Sequence, residues 1–139
     1  MRKKSAKQNE LRAAIDVIVA DIERFIIKHM INENITIKIN LQNQVHNLIF
    51  AGQYDFGKIF NSTFACVYAI VQVTNYGRKI IYVGQTDNIN QRFSNHQKKD
   101  CWRKHVKSNA LYVYKEDNQN TRLLIESLII QQYNPPCNG

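Results

Sequence analysis

Between residues 64 and 96 the chain reads FACVYAIVQVTNYGRKIIYVGQTDNINQRFSNH, and no other stretch restricts the fold as tightly. CVYAIVQV and KIIYVG are rich in Val, Ile and Tyr, the residues that suit a pleated, half-buried surface, so both are predicted strands. Asn75-Tyr76-Gly77-Arg78 between them carries turn residues and closes the two into an antiparallel hairpin. After Gly84 the polar run QTDN ends the second strand, and Asp87 or Asn88 is placed to cap a helix over residues 89–99. On such a helix Arg92 and His96, four residues apart, share a face, and Ile89 and Phe93 mark a neighbouring face for burial.

Around this stretch the chain has room for one domain with an N-terminal extension: it is 139 residues long, and 44% of them are hydrophobic. Residues 1–9 are basic and polar and are expected to be loose. From there Leu11, Ile15, Ile18, Ile22 and Phe25 recur at helical spacing, which predicts an amphipathic helix to about Met30. Ala13, Val17, Ala20 and Ile27 widen its apolar face. That face either packs on its own domain or forms the seam of a homodimer. ITIKINL alternates like a strand, whereas QVHNLIFAGQYDFGKIF gives mixed signals and is read as a short helix or turn and a loop. His46 within it is expected to be a surface or packing residue. ALYVYK, residues 110–115, reads as a third strand, and Asn120 or Thr121 caps a last helix that Pro135-Pro136 ends.

The formal net charge is +8, which favours a polyanionic partner but does not separate DNA, RNA and acidic lipid. Lys98, Lys99, Arg103, Lys104 and Lys107 crowd the segment after the first helix, around Trp102, and are the expected phosphate contacts. Cys66, Cys101 and Cys137 are odd in number and hold no CxxC pair, so a disulfide framework is not implied and a reducing, cytoplasmic setting is the default. No apolar run approaches the roughly 18 residues of a membrane span. MRKK is followed too soon by Glu10 and Asp16 to read as a signal peptide, so a soluble intracellular chain is expected.

The last helix is apolar nearly all round and so is expected to be buried, yet Glu126 stands in its middle. A buried ionised carboxylate costs several kcal/mol (roughly, by solvation arguments) unless a cation compensates it. Arg122, one turn earlier, is the ordinary partner; a cleft or a bound cation is the alternative.

Taken in order, CVY, YVGQT after a hairpin, an Arg-x3-His segment, a third strand, a helix with a central Glu and a terminal NPPCN resemble the GIY-YIG nuclease superfamily. The resemblance covers residues 64–139 and leaves 1–63 as a helical extension, accessory to dimerisation or DNA contact. It implies an α+β fold, a small three-stranded antiparallel sheet flanked by helices. It also implies hydrolysis of DNA phosphodiesters, with RNA left open, using one Mg2+ or Mn2+ ion. Carried over by position, Tyr68 and Tyr82 are the motif tyrosines and Gly84 the motif glycine; Arg92 and His96 follow, with Glu126 as the metal ligand and Asn138 as the terminal asparagine. Cys66 stands where the motif has glycine, a departure that keeps a small residue and removes no catalytic side chain.

In the implied chemistry Tyr68 or His96 takes the proton of the attacking water, and which of them does so first is open. Arg92 steadies the developing phosphate charge, Tyr82 orients the water or the phosphate, and Asn138 holds local geometry. Two other readings stand beside it. One is a zinc site of His96, Cys101 and His105, with or without Cys137, although the spacing matches no strong ligand pattern. The other is a module that binds nucleic acid through residues 92–107 without cutting it. The nuclease reading also makes a geometric demand. Tyr68 and Tyr82 must face the same side, which requires an odd-length hairpin loop or a bulge.

Overall fold

The computed structural model describes residues 6–31, 34–93 and 96–139. They fall into two compact units that divide between residues 33 and 34. The first contains helix α1 (Ala6–Ile31), on which Leu11, Ile15, Ile18 and Ile22 are exposed. Phe25 and Ile27, expected to extend that row, lie outside the residues whose side chains are described. No helix among the described residues is long and apolar enough to cross a membrane.

The second unit begins with the alternating ITIKINL, which forms strand β1 (Ile35–Leu41) and buries Ile35, Ile37 and Ile39. Gln42 and Asn43 both take positive φ, 53° and 62°, the conformation of a two-residue hairpin turn, and the chain returns as β2 (Gln44–Tyr54). The Val/Ile/Tyr runs form β3 (Cys66–Thr74) and β4 (Gly77–Thr86), and β5 (Leu111–Lys115) is the strand expected near 110–115. Together they make one sheet in the order β1-β2-β5-β3-β4. The sheet therefore has five strands, not the three expected, and residues 35–54 belong to it. The boundary expected at residue 63 does not coincide with the division at 33. The reason β2 was not legible is physical. Residues 44–47 are all exposed, so hydropathy does not alternate along its first half.

β3 lies between β5 and β4 and is buried on both faces from Cys66 to Val71. On one face Val67, Ala69 and Val71 join Ile35, Ile37, Ile39, Phe50 and Tyr112 against Ile125 and Ile129 of helix α4 (Gln119–Tyr133). On the other, Cys66, Tyr68 and Ile70 meet the short helices α2 (Ile89–Arg92) and α3 (Lys99–Arg103) through Ile89, Phe93 and Trp102. Cys66 opens β3 fully buried, so the strand forms with cysteine where the motif has glycine.

Three helix details differ from expectation. Asn88 does cap, accepting from Gln91 N, but α2 ends after one turn at Arg92, so Arg92 and His96 do not share a helix. Residues 94 and 95 of the expected helix lie outside the described residues. His96 instead starts a new turn, its Nδ1 accepting from Lys98 N at 3.0 Å and its carbonyl accepting from Lys99 N. The cap of α4 is Asn118, accepting from Thr121 N at 3.0 Å, rather than Asn120 or Thr121. Nor is α4 buried all round, since Leu123 and Leu124 are exposed.

Candidate active site

The hairpin meets the geometric demand through a bulge. From the turn, Thr74 pairs with Gly77 and Val71 with Ile80, but Ile70 pairs with Tyr82, leaving Ile81 as the extra residue. Tyr82 thereby joins Tyr68 on one face, with ring centroids 6.1 Å apart. Directly across from Tyr68 is Gly84. A Cβ at Gly84 would stand 2.3 Å from the Tyr68 Oη and 2.4 Å from its Cζ, so the phenol occupies the volume a side chain would need.

Tyr68 is fully buried, and its oxygen is the junction of the site. His96 Nε2 lies 2.9 Å from it, and Arg92 Nε donates to it at 3.1 Å. Because Lys98 N–H occupies His96 Nδ1, the neutral ring carries its proton on Nε2, which donates to the tyrosine. Burial, aided by Arg92, Lys99 and Lys98, lowers the His96 pKa to about 4, so the imidazole is neutral at neutral pH. Burial also raises the Tyr68 phenol above its ordinary value; Tyr82 adds to the rise and Arg92 opposes it. For Arg92 burial works against the charge, but the Tyr68 and Tyr82 oxygens outweigh it and its pKa is raised.

Aromatic side chains wall this junction. Phe93 meets Tyr68 edge-on at 4.9 Å, and Trp102 lies 4.5 Å from His96 and 5.3 Å from Tyr82. Trp102, at the centre of the basic segment, was assigned no role from the sequence; it is wholly buried and supports the site from behind. The signal for that role was weak, since Trp102 sits in a segment whose other members are mostly charged.

Glu126 is half-buried on α4, and its carboxylate makes no hydrogen bond or ion pair with any described residue. Burial raises its carboxyl above the usual range, and Arg92 opposes the rise. Arg122 is not its partner. Its buried guanidinium is spent on Gln85 Oε1 at 3.0 Å and on the carbonyls of Glu116 and Asp117 at 3.0 and 2.8 Å. A carboxylate whose lone pairs no described residue takes up, near one arginine, is a hard oxygen donor that fits a small divalent cation. Asn138 acts on backbone: its Oδ1 accepts from Val83 N at 2.9 Å and its Nδ2 donates to Val83 O at 2.8 Å. With Cys137 N donating to Ile81 O, it covers the free edge of β4 beside Tyr82.

The basic residues are not equivalent. Lys99 Nζ donates to Phe93 O, and Arg103 pairs with Asp100 at 3.2 Å in an exposed contact of little worth to stability. Lys104 and Lys107 are exposed and Lys98 half-buried. The zinc set of the sequence is brought together only in part. Cys101, His105 and Cys137 converge, but His96 is at Tyr68. Cys101 and Cys137 are joined as a disulfide across 36 residues of sequence, against the expectation of free thiols. Spacing rules miss such a pair because the fold, not the sequence interval, brings α3 to the C-terminal tail. Cys66 is the buried free cysteine, its thiol pushed up to about 12 by burial. His46 is exposed on β2.

Residues 64–139 match the GIY-YIG catalytic domain, and this chain belongs to that family. The family's domains are nucleases that act on nucleic acids and generally depend on a divalent metal. No match was found among curated proteins or among solved structures.

Proposed function

We propose that this chain is an endonuclease that hydrolyses DNA phosphodiesters, with Tyr68, Tyr82, Arg92, His96, Glu126 and Asn138 as its site and Glu126 holding one Mg2+ or Mn2+ ion. The observation that carries the reading is the double donation onto one buried oxygen: Arg92 Nε–H and His96 Nε2–H both point at Tyr68 Oη. When bound, the cation supplies positive charge for the phosphate and the departing oxygen. The remaining work falls to side chains of this chain.

Tyr68 is the proton acceptor in this reading, and His96 is its donor. The His96 nitrogen facing Tyr68 already carries a proton, and its other nitrogen is taken by Lys98 N–H. An ionised Tyr68 keeps both donors and strengthens them, because hydrogen bonds to a charged oxygen are roughly twice as strong as neutral ones. In the free protein burial holds the phenol neutral at neutral pH. Cleavage is therefore expected to accelerate as pH rises through the alkaline range. The Arg92 guanidinium has donors beyond Nε for the developing charge on phosphate. Asn138 and Gly84 position Tyr82 and Tyr68, and Lys98, Lys99, Arg103, Lys104 and Lys107 contribute charge along the nucleic acid. The exposed row Leu11, Ile15, Ile18 and Ile22 on α1 supports a homodimer, which would convert paired nicks into a double-strand break.

The test is incubation of supercoiled, linear and single-stranded DNA, and of RNA, with Mg2+ or Mn2+, alongside Glu126→Ala and a chelator control. Light scattering gives the molar mass. Metal-dependent cleavage lost in Glu126→Ala is the expected result. Salt-sensitive binding with every substrate left intact would replace the reading with a non-catalytic binding module.

A further inference from the structure

Away from Tyr68, three potential ligands of a soft metal converge. Cys101 lies on α3 and His105 four residues later, one helical turn on; Cys137 comes from the C-terminal tail. The two sulfurs and an imidazole nitrogen all lie within 4.8 Å of one another. Hydrogen bonds independent of the sulfur–sulfur bond hold His105 and Cys137 there. His105 N donates to Trp102 O at 2.9 Å, Gln72 Nε2 donates to His105 O at 3.0 Å, and Cys137 N donates to Ile81 O at 3.0 Å. The adjoining Asn138 amide is clasped to Val83. The His105 imidazole itself makes no hydrogen bond with any described residue.

We propose that in the reduced chain Cys101, His105 and Cys137 bind one zinc ion, and that this metal site exchanges with the disulfide. A dithiol reductant delivers two electrons and two protons to the Cys101–Cys137 bond and leaves as its own disulfide. Zinc then displaces both thiol protons and is held by two thiolates and one imidazole, with water completing a tetrahedron. Zn–S bonds of about 2.3 Å and Zn–N bonds of about 2.0 Å set ligand atoms roughly 3.5 Å apart, a spacing that side-chain rotation reaches from this cluster. Thiolate and imidazole donors select zinc over the hard cations that suit Glu126. Two thiolates also cancel the charge of the ion, which suits ground crowded by Lys98, Arg103 and Lys104. The proposal does not depend on the nuclease reading.

The test uses the full chain, reduced with a phosphine that does not hold zinc, and titrated against a chromophoric zinc chelator. Cobalt substitution gives a second readout, a thiolate-to-metal charge-transfer band. One equivalent of zinc is expected in the reduced chain and none in the oxidised chain. Cys101→Ser and Cys137→Ser should lose it, and His105→Ala should weaken it about 100-fold or more, since even supporting residues of metal sites cost 10–100-fold. Should the serine variants fail to fold, His105→Ala, at a half-exposed position and checked by circular dichroism, carries the test. A reduced chain that takes up no zinc overturns the proposal. So does a folded His105→Ala that binds as tightly as the unaltered chain, or an oxidised chain that binds equally well.

Discussion

Gly84→Ala puts a methyl carbon where the Tyr68 phenol already lies. With the backbone unmoved, the new Cβ is 2.3 Å from Oη, 2.4 Å from Cζ and 2.9 Å from Cε2. Ordinary carbon contacts begin near 3.5 Å, so the ring must retreat by about 1 Å or the hairpin must open. Tyr68 is fully buried and walled by Phe93, so the retreat is an overpacking event costing about 1–3 kcal/mol. A movement of that size stretches the 2.9 Å and 3.1 Å bonds from His96 and Arg92 toward or past hydrogen-bonding range. A misplacement of about 1 Å at a reacting group costs on the order of 100-fold in rate. The assay is initial cleavage rate per folded molecule, with urea unfolding run in parallel. Gly77→Ala is the control: at φ +139° with nothing within 4 Å, it strains the hairpin tip without approaching Tyr68. It should cost stability through strain alone, about 1–3 kcal/mol, and leave the rate per folded molecule unchanged. If Gly84→Ala cleaves at the unaltered rate, or if both variants lose rate equally, the claim that Gly84 sets the position of Tyr68 is refuted.

Tyr68→Phe leaves the His96 Nε2–H and the Arg92 Nε–H without their common acceptor, so it should destabilise the fold by about 1–3 kcal/mol and slow cleavage by about 100-fold or more; equal stability by urea unfolding would contradict the bonding described. The His96 pKa of about 4, against an ordinary 6.5, means the unfolded chain binds a proton there that the folded chain does not. Its contribution is thus full above pH 6.5 and lost as pH falls toward 4, up to about 3 kcal/mol at about 1.4 kcal/mol per unit. The raised Glu126 carboxyl slopes the opposite way, losing stability as pH rises above 4.5, so the readout is the difference between unaltered chain and His96→Gln across pH 4–7. Arg122→Leu strands one side-chain oxygen and two carbonyls and should cost about 3 kcal/mol in thermal or urea unfolding, while the Mg2+ dependence of the folded fraction stays unchanged; half-maximal activity at a lower Mg2+ concentration would mean that Arg122 does compete for Glu126.

What was legible in the chain and what was not divide along physical lines. β3 and β4 were readable because strands buried on both faces leave continuous Val/Ile/Tyr runs. β2 was not, because its first half is exposed on both faces and carries no period. Glu126 was visible as a polar island on an apolar helix, but its environment was not: Arg122 has helical spacing to it, and only the fold shows that guanidinium turned to Gln85 and two carbonyls. His96 was found by spacing through the wrong element, since α2 stops at Arg92 and the histidine comes from the next turn. Parity alone required the bulge that brings Tyr82 round to Tyr68, yet nothing local marks Ile81 as the extra residue. Gly84 is the sharper case: the resemblance marked it as the motif glycine, but what it does there was not legible. Strand propensity scores a glycine there as a defect, and a side chain that must be absent leaves no pattern of its own. The fold supplies the reason: the buried phenol, its two donors and the strand opposite can coexist only if that position is empty. An arrangement of this kind is therefore encoded as much by the residue that leaves room as by those that fill it.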